Sequence, residues 1–296
     1  MSDTLFSAGH TACAGCGQSL AARLVIDAAG KNTIVVNNTG CLEVFSTKFP
    51  ESAWEVPWIH SLFENAAAVA SGVEAALKYL GTKDNINVIA QGGDGSTADI
   101  GLQALSGMFE RGHDILYVCY DNEAYMNTGI QRSGLTPFDT NTTTSPVGMQ
   151  SSGNIRPKKP MPEIAVAHGI PYVATASSGF PQDLQRKVKK ALSIKGPKYI
   201  QVHAPCPLGW RYESNILVQI SKLAVETGLY PLVEYESGVL SAKRQIVPKP
   251  VEEYLKLQGR FKHLLKNPEE LKKVQDIADN NIKKYGLKAE TALGSS

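Results

Sequence analysis

Five short, almost unbroken apolar runs recur along the chain, and stretches with helical periodicity fill the gaps between them. The runs are Thr33 to Val36, Ile86 to Ala90, Ile115 to Tyr120, Tyr172 to Ala174 and Tyr199 to Val202. Strands that are apolar on both faces must be covered on both faces. The segments Ser19 to Ala29, Leu62 to Tyr79, Ala98 to Glu110 and Pro181 to Ser193 read as the helices that cover them. Strands alternating with helices specify a doubly wound α/β domain with a largely parallel sheet. Ligands in such sheets sit at the carboxyl ends of the strands. Residues just past each apolar run therefore carry the most functional weight.

This domain is expected over residues 1–210. Beyond Trp210 the pattern loosens. Asn215 to Glu226 reads as helical, Tyr230 to Tyr235 as extended, and Val251 to Tyr285 as one or two charged helices that pack on the core or on a partner. Residues 211–296 are expected to form this C-terminal helical extension. Thr136 to Lys159 is rich in Thr, Ser, Pro, Gly and Asn and has no periodicity. So long a loop is either functional or a disordered excursion.

The 296 residues are 43% hydrophobic and 20% charged, enough for one large core or two smaller ones. A net charge of +2 gives no basic field for nucleic acid. No apolar run reaches the roughly 18 residues that span a bilayer. The start, Met1-Ser2-Asp3-Thr4, lacks the basic and apolar regions of a signal peptide. A cytoplasmic protein is expected. Gly294-Ser295-Ser296 is set aside as a candidate cloning scar.

The chain has five cysteines, too few and too unevenly spaced for a disulfide scaffold. Cys13-Ala14-Gly15-Cys16-Gly17 has the spacing of two thiolates on one metal centre. Gly15 and Gly17 allow a tight turn whose N–H groups point at sulfur. Cys41 and Cys206 each lie just past an apolar run, where sites of this architecture belong. Cys119 lies inside a run and reads as a buried small hydrophobe. Spacing alone leaves an iron–sulfur cluster, a structural zinc and a redox dithiol open.

A second constellation narrows the choice. Gly92-Gly93-Asp94-Gly95-Ser96-Thr97 follows the Ile86 run directly and precedes a helix. Its glycines allow close backbone approach, and the helix start offers N–H groups to an anion. Asp94 in the same turn calls for a hard cation beside that anion. Magnesium takes one or two protein oxygens together with phosphate oxygens. The next run ends in Tyr120-Asp121-Asn122-Glu123-Ala124-Tyr125-Met126-Asn127. The Asn122 amide oxygen and the Ala124 carbonyl are the natural further ligands. A lone Gly-Asp-Gly is usually only a turn. Gly-Asp-Gly after one strand with Asn-x-x after the next is the pattern of thiamine diphosphate enzymes.

From about His10 to Arg211 the sequence resembles the β subunits of pyruvate:ferredoxin oxidoreductases (pyruvate synthases), within the 2-oxoacid:ferredoxin oxidoreductase family. The segments that carry the resemblance are Cys13-Ala-Gly-Cys16-Gly-Gln18, Thr39-Gly-Cys41, Gly93-Asp-Gly-Ser-Thr-Ala-Asp-Ile-Gly101, Asp121-Asn-Glu-Ala-Tyr-Met-Asn-Thr-Gly-Ile-Gln131 and Pro205-Cys206-Pro207. The resemblance implies a [4Fe–4S] cluster on Cys13, Cys16, Cys41 and Cys206. It implies thiamine diphosphate and Mg2+ held by Gly93, Asp94, Gly95, Ser96, Asn122 and the Ala124 carbonyl. It implies that Asn127 reaches the reacting carbon and the substrate. Gln18 stands where some relatives carry a glutamate near the aminopyrimidine ring, so it is expected to hydrogen-bond rather than to exchange protons.

The implied reaction is oxidative decarboxylation of pyruvate with coenzyme A, electrons leaving singly through the cluster to ferredoxin. The chain has no second cysteine group with ferredoxin-like spacing, and the family's activating glutamate comes from another subunit or domain. Partner α, γ and δ subunits are therefore implied. Glu64 is not assigned that glutamate's role, and Ser61 to Asn65 is expected to line the cleft or start a helix. His60 is either a cleft residue or a packing one. Sister enzymes using 2-oxoglutarate, branched-chain 2-oxoacids, indolepyruvate or oxalate are the same-class alternative. A non-catalytic iron–sulfur or zinc scaffold is the different-class one.

Overall fold

The computed structural model describes residues 4–48 and 50–289. The expectations placed on residues 1–3 and 294–296 fall outside them. Ten strands follow one another: β1 (Thr33–Asn37), β2 (Trp58–His60), β3 (Asn87–Gly93), β4 (Leu116–Asp121), β5 (Val147–Gly148), β6 (Ser151–Ser152), β7 (Tyr172–Ser177), β8 (Lys198–His203), β9 (Val233–Glu236) and β10 (Val239–Lys243). Eight of them form one sheet in the order β10-β9-β7-β8-β4-β3-β1-β2. From β7 to β2 every pairing is parallel. Near one edge of this sheet β9 is reversed, antiparallel to both β7 and β10. The doubly wound, largely parallel α/β fold is the observed one.

The apolar runs become strands because both sheet faces are covered. β4, β7 and β8 are buried at every position. Gly17–Ala29 and Pro181–Ser193 pack side by side on one face, placing Val25, Ile26, Leu184 and Val188 in its core. Ala66–Tyr79, Leu102–Glu110 and Met161–Ala167 cover the other face through Ala70, Leu105, Met108 and Ala165. Burying such an aliphatic side chain is worth about 1.5–3 kcal/mol, and the periodicity of these segments places one at nearly every inward position.

Two helices begin later than the periodicity suggests. The third starts at Ala66, which leaves Ser61–Asn65 as a loop. The next is split: a single turn, Asp94–Ala98, stops before Leu102–Glu110 begins. Gly101 sits in the break, where a Cβ would come within 2.0 Å of the Ser96 carbonyl oxygen.

Past Trp210 the chain forms Leu217–Glu226, Val251–Leu255 and Pro268–Tyr285 and also supplies β9 and β10. These helices share a third apolar cluster with Trp210, Tyr254 and Phe261. Among the described residues no helix is long and apolar enough to cross a membrane.

Candidate functional site

The chain leaves β1 toward β2 on one side of the sheet and leaves β3 toward β4 on the other. The loops after β1 and β3 therefore diverge, and a cleft opens between them. Counted with the open solvent at its mouth, it spans about 420 Å3. Asn37 to Leu42 line one wall, Gly92 to Ser96 another, and Asn122 with Ala124 to Thr128 a third. Gln18 and Phe63 close the sides. Gly93, Asp94, Gly95, Ser96, Asn122, Ala124, Asn127, Gln18 and Cys41, singled out by sequence, thus share one cleft.

Space in the cleft depends on two glycines. A Cβ on Gly92 would lie 2.5 Å from Asn38 Nδ2, and one on Gly95 would lie 2.3 Å from the Tyr125 ring. Both neighbours are held in place. Asn38 donates to Tyr117 at 3.2 Å and accepts from the Ala66 N–H at 2.7 Å. Tyr125 donates to the Gly95 carbonyl and to Asp99, each at 3.2 Å.

Asp94 is buried and accepts a short hydrogen bond from the Ser133 hydroxyl. Burial and the field of Asp121 push its carboxyl well above the usual range. The outer atom of the Asn122 amide lies 2.9 Å from Asp94 Oδ1 and 2.8 Å from the Ala124 carbonyl oxygen. With nitrogen at that position, the amide donates to both. With oxygen there, three oxygens converge, and a cation between them is what makes that arrangement favourable. The donor set therefore fits a hard, oxygen-preferring cation such as Mg2+. Asn37, at the same cleft, keeps a buried side-chain oxygen without a hydrogen-bond partner among the described residues.

Cys41 lines this cleft, and the fields of Cys13, Cys16 and Cys206 reach its sulfur. Cys16 precedes the Gly17–Ala29 helix, and its sulfur accepts from the Ser19 N–H at 3.4 Å. Cys206 precedes a short turn after β8, and its sulfur accepts from the Gly209 N–H at 3.4 Å. Cys41 opens the helix Cys41–Ser46, an element that sequence periodicity did not reveal. The Cys13 and Cys206 loops are tied together, since the Gly17 N–H donates to the Pro205 carbonyl at 2.9 Å. Gly17 is required for this approach rather than for a turn, because a Cβ would come within 2.7 Å of Pro205 N. Gly15, at φ +75°, makes the turn.

Burial pushes Cys41 up to about 12 and Cys206 up to about 11, and it raises Cys16 as well. The fields of the neighbouring cysteines add to the rise, and at Cys41 the field of Asp94 adds too. A metal centre that takes thiolates would reverse this penalty. Among the described residues, no three His, Cys, Asp or Glu side chains gather as a ready single-ion site. Cys119 is fully buried within β4.

The remaining sequence candidates divide. His60 lies 2.7 Å from the Thr39 hydroxyl and supports the cleft wall from outside. Phe63, not Glu64, brings the Ser61–Asn65 loop to the cleft. The 136–159 loop is held by its own polar groups. Asn154 donates to the carbonyls of Thr136, Pro137 and Arg156 at 2.8–3.0 Å. Its end carries Lys158 into contact with Asp121 and Glu123, at 2.7 and 2.8 Å. Asn37, Asn38 and Ser133 were missed by sequence reasoning. The Asn37-Asn38-Thr39-Gly40 cluster after a strand was the available signal for the first two.

Residues 38–202 match the family "Thiamine pyrophosphate enzyme, C-terminal TPP binding domain". The pyruvate synthase subunit PorB of Methanosarcina barkeri is 62% identical over 288 residues, covering 96% of this chain and 97% of that one. PorB of Methanocaldococcus jannaschii is 57% identical over 293 residues, covering 95% and 96%. The ketoisovalerate oxidoreductase subunit VorB of Pyrococcus abyssi is 52% identical over 270 residues, covering 88% and 86%. Among solved structures, the 2-oxoglutarate:ferredoxin oxidoreductase of Magnetococcus marinus shares the fold, with a TM-score of 0.58 at 22% identity over 74% of this chain and 79% of that one. With relatives this similar over nearly its whole length, the chain belongs to the pyruvate synthase PorB family, thiamine-binding subunits of multi-subunit 2-oxoacid:ferredoxin oxidoreductases.

Proposed function

We propose that this chain is the β subunit of a pyruvate:ferredoxin oxidoreductase and carries thiamine diphosphate, Mg2+ and a [4Fe–4S] cluster. One observation carries the reading: Cys41 lines the same cleft as Asp94, Asn122 and Ala124, close enough for the Asp94 field to reach its sulfur. A site for an electron donor and a site for an electron acceptor thereby share a wall.

Asp94, the Asn122 amide oxygen and the Ala124 carbonyl hold Mg2+, and the Gly93–Ser96 backbone receives the diphosphate. Thiamine diphosphate, when bound, supplies the carbanion chemistry that removes carbon dioxide from a 2-oxoacid and releases an electron pair. Gln18 hydrogen-bonds the aminopyrimidine side of the cofactor. Asn127, exposed at the cleft mouth, orients the substrate. Cys13, Cys16, Cys41 and Cys206 hold the cluster, with the Ser19 and Gly209 N–H groups tuning it through sulfur.

Pyruvate and coenzyme A yield acetyl-CoA and carbon dioxide, and two electrons pass singly to ferredoxin. The same machinery runs in reverse. With only five cysteines in the chain, the onward relay belongs to partner α, γ and δ subunits. A cytoplasmic setting keeps the thiols available for the cluster. The VorB relative keeps a branched-chain 2-oxoacid as the second reading.

The test is a screen of 2-oxoacids with coenzyme A and a low-potential acceptor, using the assembled complex. Pyruvate is expected to give the highest kcat/KM. Preference for 2-oxoisovalerate would select the second reading, and inactivity toward every 2-oxoacid would reject both.

A further inference from the structure

Between the two proposed magnesium ligands of the Asn122–Ala124 turn stands Glu123, whose φ of +69° is unusual for a residue with a side chain. That conformation sets the direction of the peptide on either side of it, and so of the Asn122 side chain and the Ala124 carbonyl. What holds it comes from elsewhere in the chain. Glu123 is buried, with one carboxylate oxygen 2.8 Å from Lys158 and the other 2.6 Å from Arg260. Its carbonyl accepts from the Thr136 hydroxyl at 2.7 Å. The Trp210 indole N–H donates to the Asn122 carbonyl at 2.8 Å. The Arg260 guanidinium carbon lies over that same indole, 3.7 Å from the ring centre, and its Nε donates to Gln258 at 2.9 Å.

We propose that Arg260 and Trp210 are positioning residues that hold the turn so that its oxygens converge with Asp94. The proposal rests on the magnesium reading above. Charge and position make opposite predictions here. Three buried carboxylates, Asp94, Asp121 and Glu123, stand against two cations, Lys158 and Arg260. Removing Arg260 makes the surroundings more negative, which by charge alone favours a cation. Removing a clamp on the turn disfavours it.

The experiment titrates Mg2+ against thiamine diphosphate binding in the anaerobically purified complex, with iron content measured alongside. In Arg260→Met the Mg2+ needed for half-saturation is expected to rise by about tenfold or more, the usual cost of losing a residue that orients a ligand. Iron content should stay unchanged, Arg260→Lys should recover most of the affinity, and excess Mg2+ should restore binding. Unchanged or tighter binding overturns the proposal. If Arg260→Met does not assemble, Trp210→Phe decides, because it deletes one hydrogen bond and keeps an aromatic ring under Arg260. Weaker Mg2+-dependent binding in that variant supports the clamp, and unchanged binding overturns it. Asp94→Ala separates the two levels. If that variant binds normally, the magnesium reading itself falls. If it fails to bind while both other variants bind normally, only this inference falls.

Discussion

The two ends of β4 carry acidic groups in opposite circumstances. Just before the strand, Asp114 meets Lys198 at 2.5 Å and Lys83 at 2.9 Å. Burial alone would raise its carboxyl, but these two ammonium groups outweigh it and hold Asp114 at about 2. Burial pulls Lys198 downward, and its close contact with Asp114 opposes that pull. At the strand's other end, Asp121 and neighbouring Asp94 are both pushed up, Asp121 to about 6, with burial the main cause. Folding satisfies the first group and leaves the second short of positive charge. The first arrangement stabilises the chain. In the second, Lys158 already meets Asp121, and the negative charge still unmatched at Asp94 suits a cationic ligand at the strand ends where this architecture places ligands.

The comparison can be broken at either end. The largest effect is expected at Asp94. Asp94→Ala should abolish Mg2+-dependent thiamine diphosphate binding, a loss of at least about a hundredfold in affinity measured by calorimetry, since the proposed direct ligand is removed. The iron content should be unaffected. Unchanged cofactor affinity would make Asp94 a structural acid like Asp114.

A smaller effect, of a different kind, is expected at the other end. Asp114→Asn leaves Lys198 buried without its partner and should cost about 1–3 kcal/mol in denaturant unfolding, with cofactor affinity unchanged. Its pH dependence follows from the lowered pKa. The stability Asp114 contributes is full above its unfolded value of roughly 4 and is lost as pH falls through about 2. The parent chain should lose stability more steeply than Asp114→Asn across that window. Parallel curves would mean that the ion pair does not stabilise the fold.

Much of the site was readable because its parts are local. Gly-Asp-Gly and Asp121-Asn122 stand directly after apolar runs, so recognising the strands located them. The helix break after Ala98 was not readable, because the apolar periodicity runs on through Gly101, where the chain comes too close to the Ser96 carbonyl for a Cβ. Arg260 escaped for a different reason. It pairs with Glu123 across 137 positions, and nothing in its neighbourhood marks it as buried. Lys158 is likewise unmarked by its neighbours in sequence, because its contact with Asp121 forms only where the loop returns to β4. Tyr230 to Tyr235 read as extended and overlaps β9, whereas its antiparallel partner β10 had no apolar run to mark it.

The central claim is that one rim of the sheet holds both a thiamine site and a cluster. Its most direct test is the iron, sulfide, zinc and thiamine diphosphate content of the anaerobic complex, compared with its Cys206→Ala variant. The account expects the variant to lose about four iron and four sulfide per chain, with thiamine diphosphate still bound. Iron and sulfide unchanged by the substitution, or zinc lost in their place, would contradict it.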